Sequence, residues 1–266
     1  MSESLQKPVA LVTGASSGIG AVYAQRLAER GYGLILVARR AERLEALSSK
    51  LNASHGTKVQ VVEADLTKEA DVSRVEAVIK ANPLITLLVN NAGNATLAPV
   101  AKTSEQDAAA MISLNVIALT RLTHAILPAF LSRNEGAIIN VASVLSFQAL
   151  QISAIYSGTK GYVMNFSRGL QQELAGTNVR LQLVMPASTA TELWDLAGVP
   201  LASLNQENLM TAENLVDAAL AGFDQGEVIT LPSVADATLW DKFDEARATL
   251  FAATQSGRPA PRYRAA

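Results

Sequence analysis

Short, continuous apolar runs alternate along the chain with longer segments in which apolar residues recur every three or four positions, the pattern of buried strands and amphipathic helices. The run PVALVT predicts a strand over 8–13, and Gly-rich residues then lead into a helix over about 18–31. The unit repeats as a strand over 33–38 (GLILVA), a helix over 41–54 with Leu44, Leu47 and Leu51 on one face, a strand beginning at Lys58 (KVQVVEA), and a helix over 68–81. LITLLVN ending at Asn90, a long helical stretch over about 104–132, GAIINVAS over 136–143, a helix over about 154–174 and VRLQLVM over 179–185 continue it, with EVITL a short seventh strand. Strands that are apolar throughout are buried on both faces, and parallel neighbours need right-handed helical crossovers. The expectation is one α/β domain over 1–266, a doubly wound sheet of about seven mainly parallel strands with helices on both faces. The irregular but apolar segment 187–211, which contains Gly198 and Pro200, reads as a substrate lid, and 256–266 as an exposed tail.

Composition narrows the chemistry. The chain has 266 residues, 49% of them hydrophobic, and a formal net charge of −2, so it offers no general field for nucleic acid or an anionic membrane. It has no Cys, and its two His, His55 and His124, are too few for a histidine-built zinc site. Residues 1–8 lack the apolar segment of a signal peptide, and no later stretch is read as a membrane span, so a soluble, unprocessed, cytoplasmic protein is expected.

Thr13-Gly14-Ala15-Ser16-Ser17-Gly18-Ile19-Gly20 joins the first predicted strand to the first helix. Glycines there let the backbone approach a pyrophosphate, and helix-end amides meet its charge, which makes the fold Rossmann-like. About 20 residues on, where such a site reads the adenosine ribose, the chain has Ala38-Arg39-Arg40. An acidic residue would bond the free 2′-hydroxyl of NAD, whereas a guanidinium pairs with the 2′-phosphate, so NADP(H) is expected, mainly through Arg39. Asp65, followed by Leu66, accepts a hydrogen bond from the adenine amino group or else forms a turn with Thr67. Asn90-Asn91-Ala92-Gly93 follows the fourth strand at the sheet's carboxyl edge, where ligands of open α/β sheets collect.

Tyr156 and Lys160, four apart at the start of a predicted helix, share one face. A nearby ammonium favours phenolate and would lower the Tyr pKa toward the range useful for acid/base work. Ser143 closes the fifth predicted strand and can donate to the oxygen of a reacting carbonyl. Asn115 lies in the apolar run ISLNVIAL, where an amide needs partners, either catalytic or from backbone at a helix kink.

Taken together, Thr13-Gly14-x-x-x-Gly18-x-Gly20, Asn90-Asn91-Ala92-Gly93, Asn115, Ser143 and Tyr156-x-x-x-Lys160 stand in the order of one family, and from 7 to 192 the chain resembles the short-chain dehydrogenase/reductases. The resemblance implies an NADP(H)-dependent carbonyl reductase or alcohol dehydrogenase, with Tyr156 as acid/base and Ser143 steadying the substrate. Lys160 would hold the nicotinamide ribose and lower the Tyr pKa, and Asn115 would anchor a water of a proton relay. It also implies a homodimer or homotetramer. Pro186-Ala187-Ser188-Thr189-Ala190-Thr191 departs from the family's usual Pro-Gly, because Ala does not readily take φ > 0. Pro186, Thr189 and Thr191 remain cofactor contacts by that resemblance. Ser17 stands where NADP-binding members often carry a basic residue, which leaves more of the case to Arg39. Val144, Leu145, Phe147, Ile152, Leu193, Trp194, Leu196 and Val199 point to a hydrophobic or aromatic carbonyl substrate, with Trp194 either on a lid or on a helix packed against the core. The competing readings are an NAD(H)-dependent member of the family and a catalytically silent dinucleotide-binding sensor.

Overall fold

The computed structural model describes residues 7–263, so residues 1–6, and residues 264–266 of the expected tail, lie outside it. The chain divides into two compact units, one ending at Pro232 and one beginning at Ser233. In the first, β1 (Val9–Thr13), α1 (Gly18–Glu29), β2 (Gly33–Ala38), α2 (Ala41–His55), β3 (Val59–Glu63), α3 (Glu69–Ala81) and β4 (Ile85–Asn90) alternate as the apolar pattern predicts. There follow α4 (Glu105–Ile112), α5 (Leu119–Arg133), β5 (Gly136–Val141), α6 (Ala154–Glu173), β6 (Val179–Val184), β7 (Thr189–Ala190), α7 (Leu193–Leu196), β8 (Met210–Thr211), α8 (Ala212–Asp224) and β9 (Ile229–Thr230). The main sheet has seven strands in the order β3-β2-β1-β4-β5-β6-β9, every pair parallel. This is a Rossmann-like doubly wound sheet, and the order reverses between β1 and β4, where the carboxyl ends open a crevice.

The period-two geometry of a strand decides which helices each residue meets. Ala10, Val12, Leu34 and Leu36 join the core beneath α1, α2 and α8, while Leu11, Ile35 and Val37 face α3, α5 and α6. Each fully buried Leu or Ile contributes about 1.5–3 kcal/mol. Ion pairs at the surface, Arg26 with Asp217 (2.6 Å) and Arg30 with Asp224 (2.8 Å), run from α1 and the residue that caps it to α8.

Four expectations need correction. The helix over 104–132 is not continuous α-helix: residues Ser113–Ala118, between α4 and α5, form a π-helical stretch that contains Asn115. By length and composition the run Glu105–Arg133 is sufficient to cross a membrane, which the sequence reading denied, but it is a core helix whose Leu119, Leu122, Ile126 and Phe130 are buried. The segment 187–211 is not irregular: β7 pairs with β8 in parallel, Thr189 opposite Met210 and Ala190 opposite Thr211, so it leaves and returns through one neck. Ala187 does not strain its turn either, because Asn134 is the only described non-Gly residue with positive φ. In the second unit, α9 (Thr238–Thr254) was not anticipated, and the described part of the tail ends in a 3-10 turn, Pro261–Tyr263.

Candidate active site

The loop between β1 and α1 is closed by contacts that only glycine permits. Gly14 (φ +68°) and Gly18 (φ +52°) take left-handed backbone conformations. A Cβ on Gly14 would lie 2.8 Å from Asn91 Nδ2, and one on Gly20 would lie 2.5 Å from the same nitrogen and collide with the Gly14 carbonyl oxygen. Thr13 Oγ1 accepts from the backbone N–H of Asn91 and of Ala92, both at 3.0 Å, and donates to Val89 O, while Asn91 Nδ2 donates to Thr13 O at 2.9 Å. Thr13 thus braces the ends of β1 and β4, a role that its place at the end of a strand did not reveal.

The two arginines after β2 divide their work. Arg39 is exposed and makes no side-chain hydrogen bond or ion pair among the described residues. Arg40 instead donates through Nε and Nη2 to Ser16 Oγ (3.2 and 3.1 Å), through Nη2 to Ser17 Oγ (2.6 Å) and through Nη1 to Glu192 Oε2 (2.8 Å). The Arg40 guanidinium, two residues beyond β2, is thus set against Ser16 and Ser17 of the glycine loop. Asp65 has one carboxylate oxygen engaged by Thr67, whose N–H and hydroxyl donate to it at 3.1 and 2.7 Å, so the turn reading holds beside any ligand contact.

Tyr156 and Lys160 stand one turn apart at the start of α6, both buried, with Lys160 Nζ 5.8 Å from the Tyr156 ring centroid and donating to Val141 O at 2.9 Å. The expected lowering of the Tyr pKa by Lys160 does not hold for this chain alone. Burial pushes the phenol up to about 12, and the Ser143 hydroxyl beside it pulls the other way. Burial also lowers Lys160 to about 8. Ser143 lies two residues beyond the end of β5, not within it, and its Oγ caps the following 3-10 turn by accepting from Leu145 N–H at 3.1 Å. Asn115 accepts at Oδ1 from Asn94 N–H (3.0 Å) and donates through Nδ2 to Asn94 O (2.9 Å) and Thr159 Oγ1 (3.0 Å). The π-turn aims this amide at backbone, and such bulges recur at functional sites. Gly93 is pinched behind it, since a Cβ there would lie 3.3 Å from Asn115 Oδ1 and 3.5 Å from Lys160 Nζ.

The buried ammonium has a measurable signature. Between about pH 8, its folded pKa, and 10.5, the unfolded chain binds more protons at Lys160 than the folded one, so stability rises across that window. Relative to Lys160→Met, wild type should gain up to about 3 kcal/mol on going from about pH 7 to about pH 11. Urea denaturation at the two pH values checks this, and a constant difference would contradict it.

These residues share one cavity of about 340 Å³. Every site residue expected from the sequence lines it except Gly20 and Asn115, which stand behind its wall. Of the apolar residues expected there, Val144, Leu145, Leu193, Trp194 and Leu196 line it; Phe147, Ile152 and Val199 do not, and Ala95, Leu97 and Leu150 take their place. The first two come from the loop after β4, held to the segment after α7 by Leu97 N–H donating to Ala197 O at 3.2 Å, a long-range contact invisible in local pattern. Trp194 belongs to the single-turn α7, and its Nε1 donates to Thr189 O at 2.8 Å.

Known proteins bear on this geometry. The family model described as short chain dehydrogenase matches residues 8–198. A short-chain dehydrogenase from Sphingobium yanoikuyae, solved in complex with NADPH, is 42% identical with a TM-score of 0.93, over 97% of this chain and 100% of that one. The bulky-bulky ketone specific alcohol dehydrogenase from Comamonas testosteroni is 36% identical with a TM-score of 0.89, over 96% of this chain and 98% of that one. Serine 3-dehydrogenase of Rhizobium radiobacter is 37% identical over 184 residues, 68% of this chain and 72% of that protein. The crevice at the sheet's switch point, the glycine loop and the match across most of the first unit agree: the chain is an oxidoreductase of the short-chain dehydrogenase/reductase family, whose members bind a nicotinamide dinucleotide.

Proposed function

We propose that this protein interconverts an apolar ketone or aldehyde and the corresponding alcohol with NADP(H), using Tyr156 as general acid and base. The observation that carries the reading is the convergence of Tyr156, Ser143 and Lys160 on the cavity that begins at the glycine loop. The cradle fits a dinucleotide. Side-chain-free Gly14 and Gly18 leave backbone facing the cavity at the start of α1, and Arg39 and Asp65 line the same cavity as Ser143 and Tyr156. Gly14 to Ile19 would hold the pyrophosphate, Arg39 and Arg40 the 2′-phosphate, Asp65 and Leu66 the adenine, and Asn91 to Gly93, Lys160, Pro186, Thr189 and Thr191 the nicotinamide half. Bound there, the nicotinamide supplies or accepts a hydride.

This chain's own groups move the proton. Tyr156 Oη gives its proton to the substrate oxygen as the alcohol forms and takes it back in the reverse direction. The Ser143 hydroxyl donates a hydrogen bond to the same oxygen. The Lys160 ammonium, steadied by the Val141 carbonyl, would hold the nicotinamide ribose beside the phenol. Segment 187–211 is the lid, and its Leu193, Trp194 and Leu196 give the cavity an apolar wall suited to a hydrophobic or aromatic substrate. Exposed Ile112 and Ile117, either side of Asn115, support assembly as a homodimer or homotetramer.

NADPH oxidation assayed across aryl and alkyl ketones and aldehydes tests the reaction class, and tight NADPH binding without turnover on any of them would favour a sensor. Arg39→Asp is expected to move the ratio of kcat/KM for NADPH over NADH by about tenfold or more toward NADH, since a charge-assisted bond is lost and a repulsion gained. An unchanged ratio would remove Arg39 as the phosphate reader.

A further inference from the structure

Glu192 follows Thr191 and precedes α7, the turn that carries Leu193, Trp194 and Leu196 against the cavity. Its carboxylate does not face solvent alone. Oε2 accepts from Arg40 Nη1 at 2.8 Å, and Arg43 Nη1 donates to both oxygens at 2.7 and 3.0 Å. Arg40 is simultaneously bound to Ser16 and Ser17, so one guanidinium joins the glycine loop to the segment after β6. Thr191 adds a second point of approach, because a Cβ on Gly18 would lie 3.1 Å from its Cγ2. The two arginines hold Glu192 down at about pKa 2, so it stays ionised.

The sign of this charge is the informative point. Judged by field alone, an anion among groups suited to phosphate weakens dinucleotide binding. Its use must lie in the link that it makes across the mouth of the groove. Resting on the cofactor reading above, we propose that Glu192 is a positioning residue, a strap that holds the segment from Thr189 to Ala197 down on Arg40 and Arg43, so that the dinucleotide enters and leaves only when the strap releases.

Glu192→Gln keeps the shape and removes the charge. Stopped-flow fluorescence of NADPH binding to the full chain, and of its displacement by excess NADP+, reads both rate constants. The strap predicts that both rise, release by about threefold or more, the scale of an exposed ion pair. A change of field alone predicts faster binding with slower release, and damage to the fold predicts slower binding; unchanged or slower release, or slower binding, overturns the proposal. Hydrogen exchange of residues 189–197 in the free protein should also quicken in the variant, and identical exchange would overturn the strap without reference to any cofactor. Failure of the cofactor reading is distinguishable, because wild type itself would then give no fluorescence change with NADPH.

Discussion

Tyr156→Phe is expected to lower kcat for carbonyl reduction by about 10²- to 10⁴-fold, the range for loss of a positioned acid/base, while NADPH still binds. The ring contributes to the apolar cluster with Ala95, Met111 and Ala197, and Phe keeps that packing. Burial pushes the phenol pKa up to about 12, so removing the hydroxyl also removes a polar group from a place where it is poorly solvated, and stability should not fall. The result separates chemistry from architecture: kcat collapses, and the thermal midpoint and the NADPH titration do not. Undiminished turnover would take Tyr156 out of the mechanism and leave Ser143 and Lys160 without the group that they flank.

The second large effect is expected at Gly20→Ala. The new Cβ would meet the Gly14 carbonyl oxygen and the Asn91 amide, which is tied to the Thr13 carbonyl, so α1 must move outward. Overpacking against backbone costs about 3 kcal/mol, and a loop displaced by about 1 Å should weaken dinucleotide handling about 10²-fold. Gly169→Ala, in α6 with nothing within 4 Å of its Cβ, is the control. It should stabilise by about 1 kcal/mol through helix propensity and leave NADPH binding unchanged. Equal behaviour of the two variants in chemical denaturation and NADPH titration would mean that the loop tolerates a side chain.

Much of the scaffold was legible because strands buried on both faces must be apolar throughout. GLILVA and GAIINV could hardly be anything else, and their spacing with intervening helices dictates parallel order. The chemical residues were legible for a related reason: Tyr156 and Lys160 share a helix face, and Ser143 follows a strand that ends at the same sheet edge. What stayed hidden depends on contacts remote in sequence. Nothing local distinguishes Arg39 from Arg40, and only the positions of Ser16, Ser17 and Glu192 decide which is pinned and which is left unpaired among the described residues. The π-turn at Asn115 reads as ordinary helix in its periodicity, because the insertion is set by the backbone of Asn94 that the amide must satisfy. Ala187 looked like a strained position only because a glycine usually stands there. The β7–β8 neck has two residues per strand, too few to carry a pattern.

The central claim is a hydride moved between nicotinamide and a carbonyl carbon in the cavity of Tyr156, Ser143 and Lys160. Its most direct test is to incubate the protein with NADPH deuterated at the transferable C4 position and an aryl ketone, and to analyse the alcohol by mass spectrometry and NMR. Hydride transfer from the cofactor predicts one deuterium, on the carbinol carbon, in a single stereochemical sense. Alcohol formed without deuterium there, from either C4-labelled epimer of the cofactor, would contradict it.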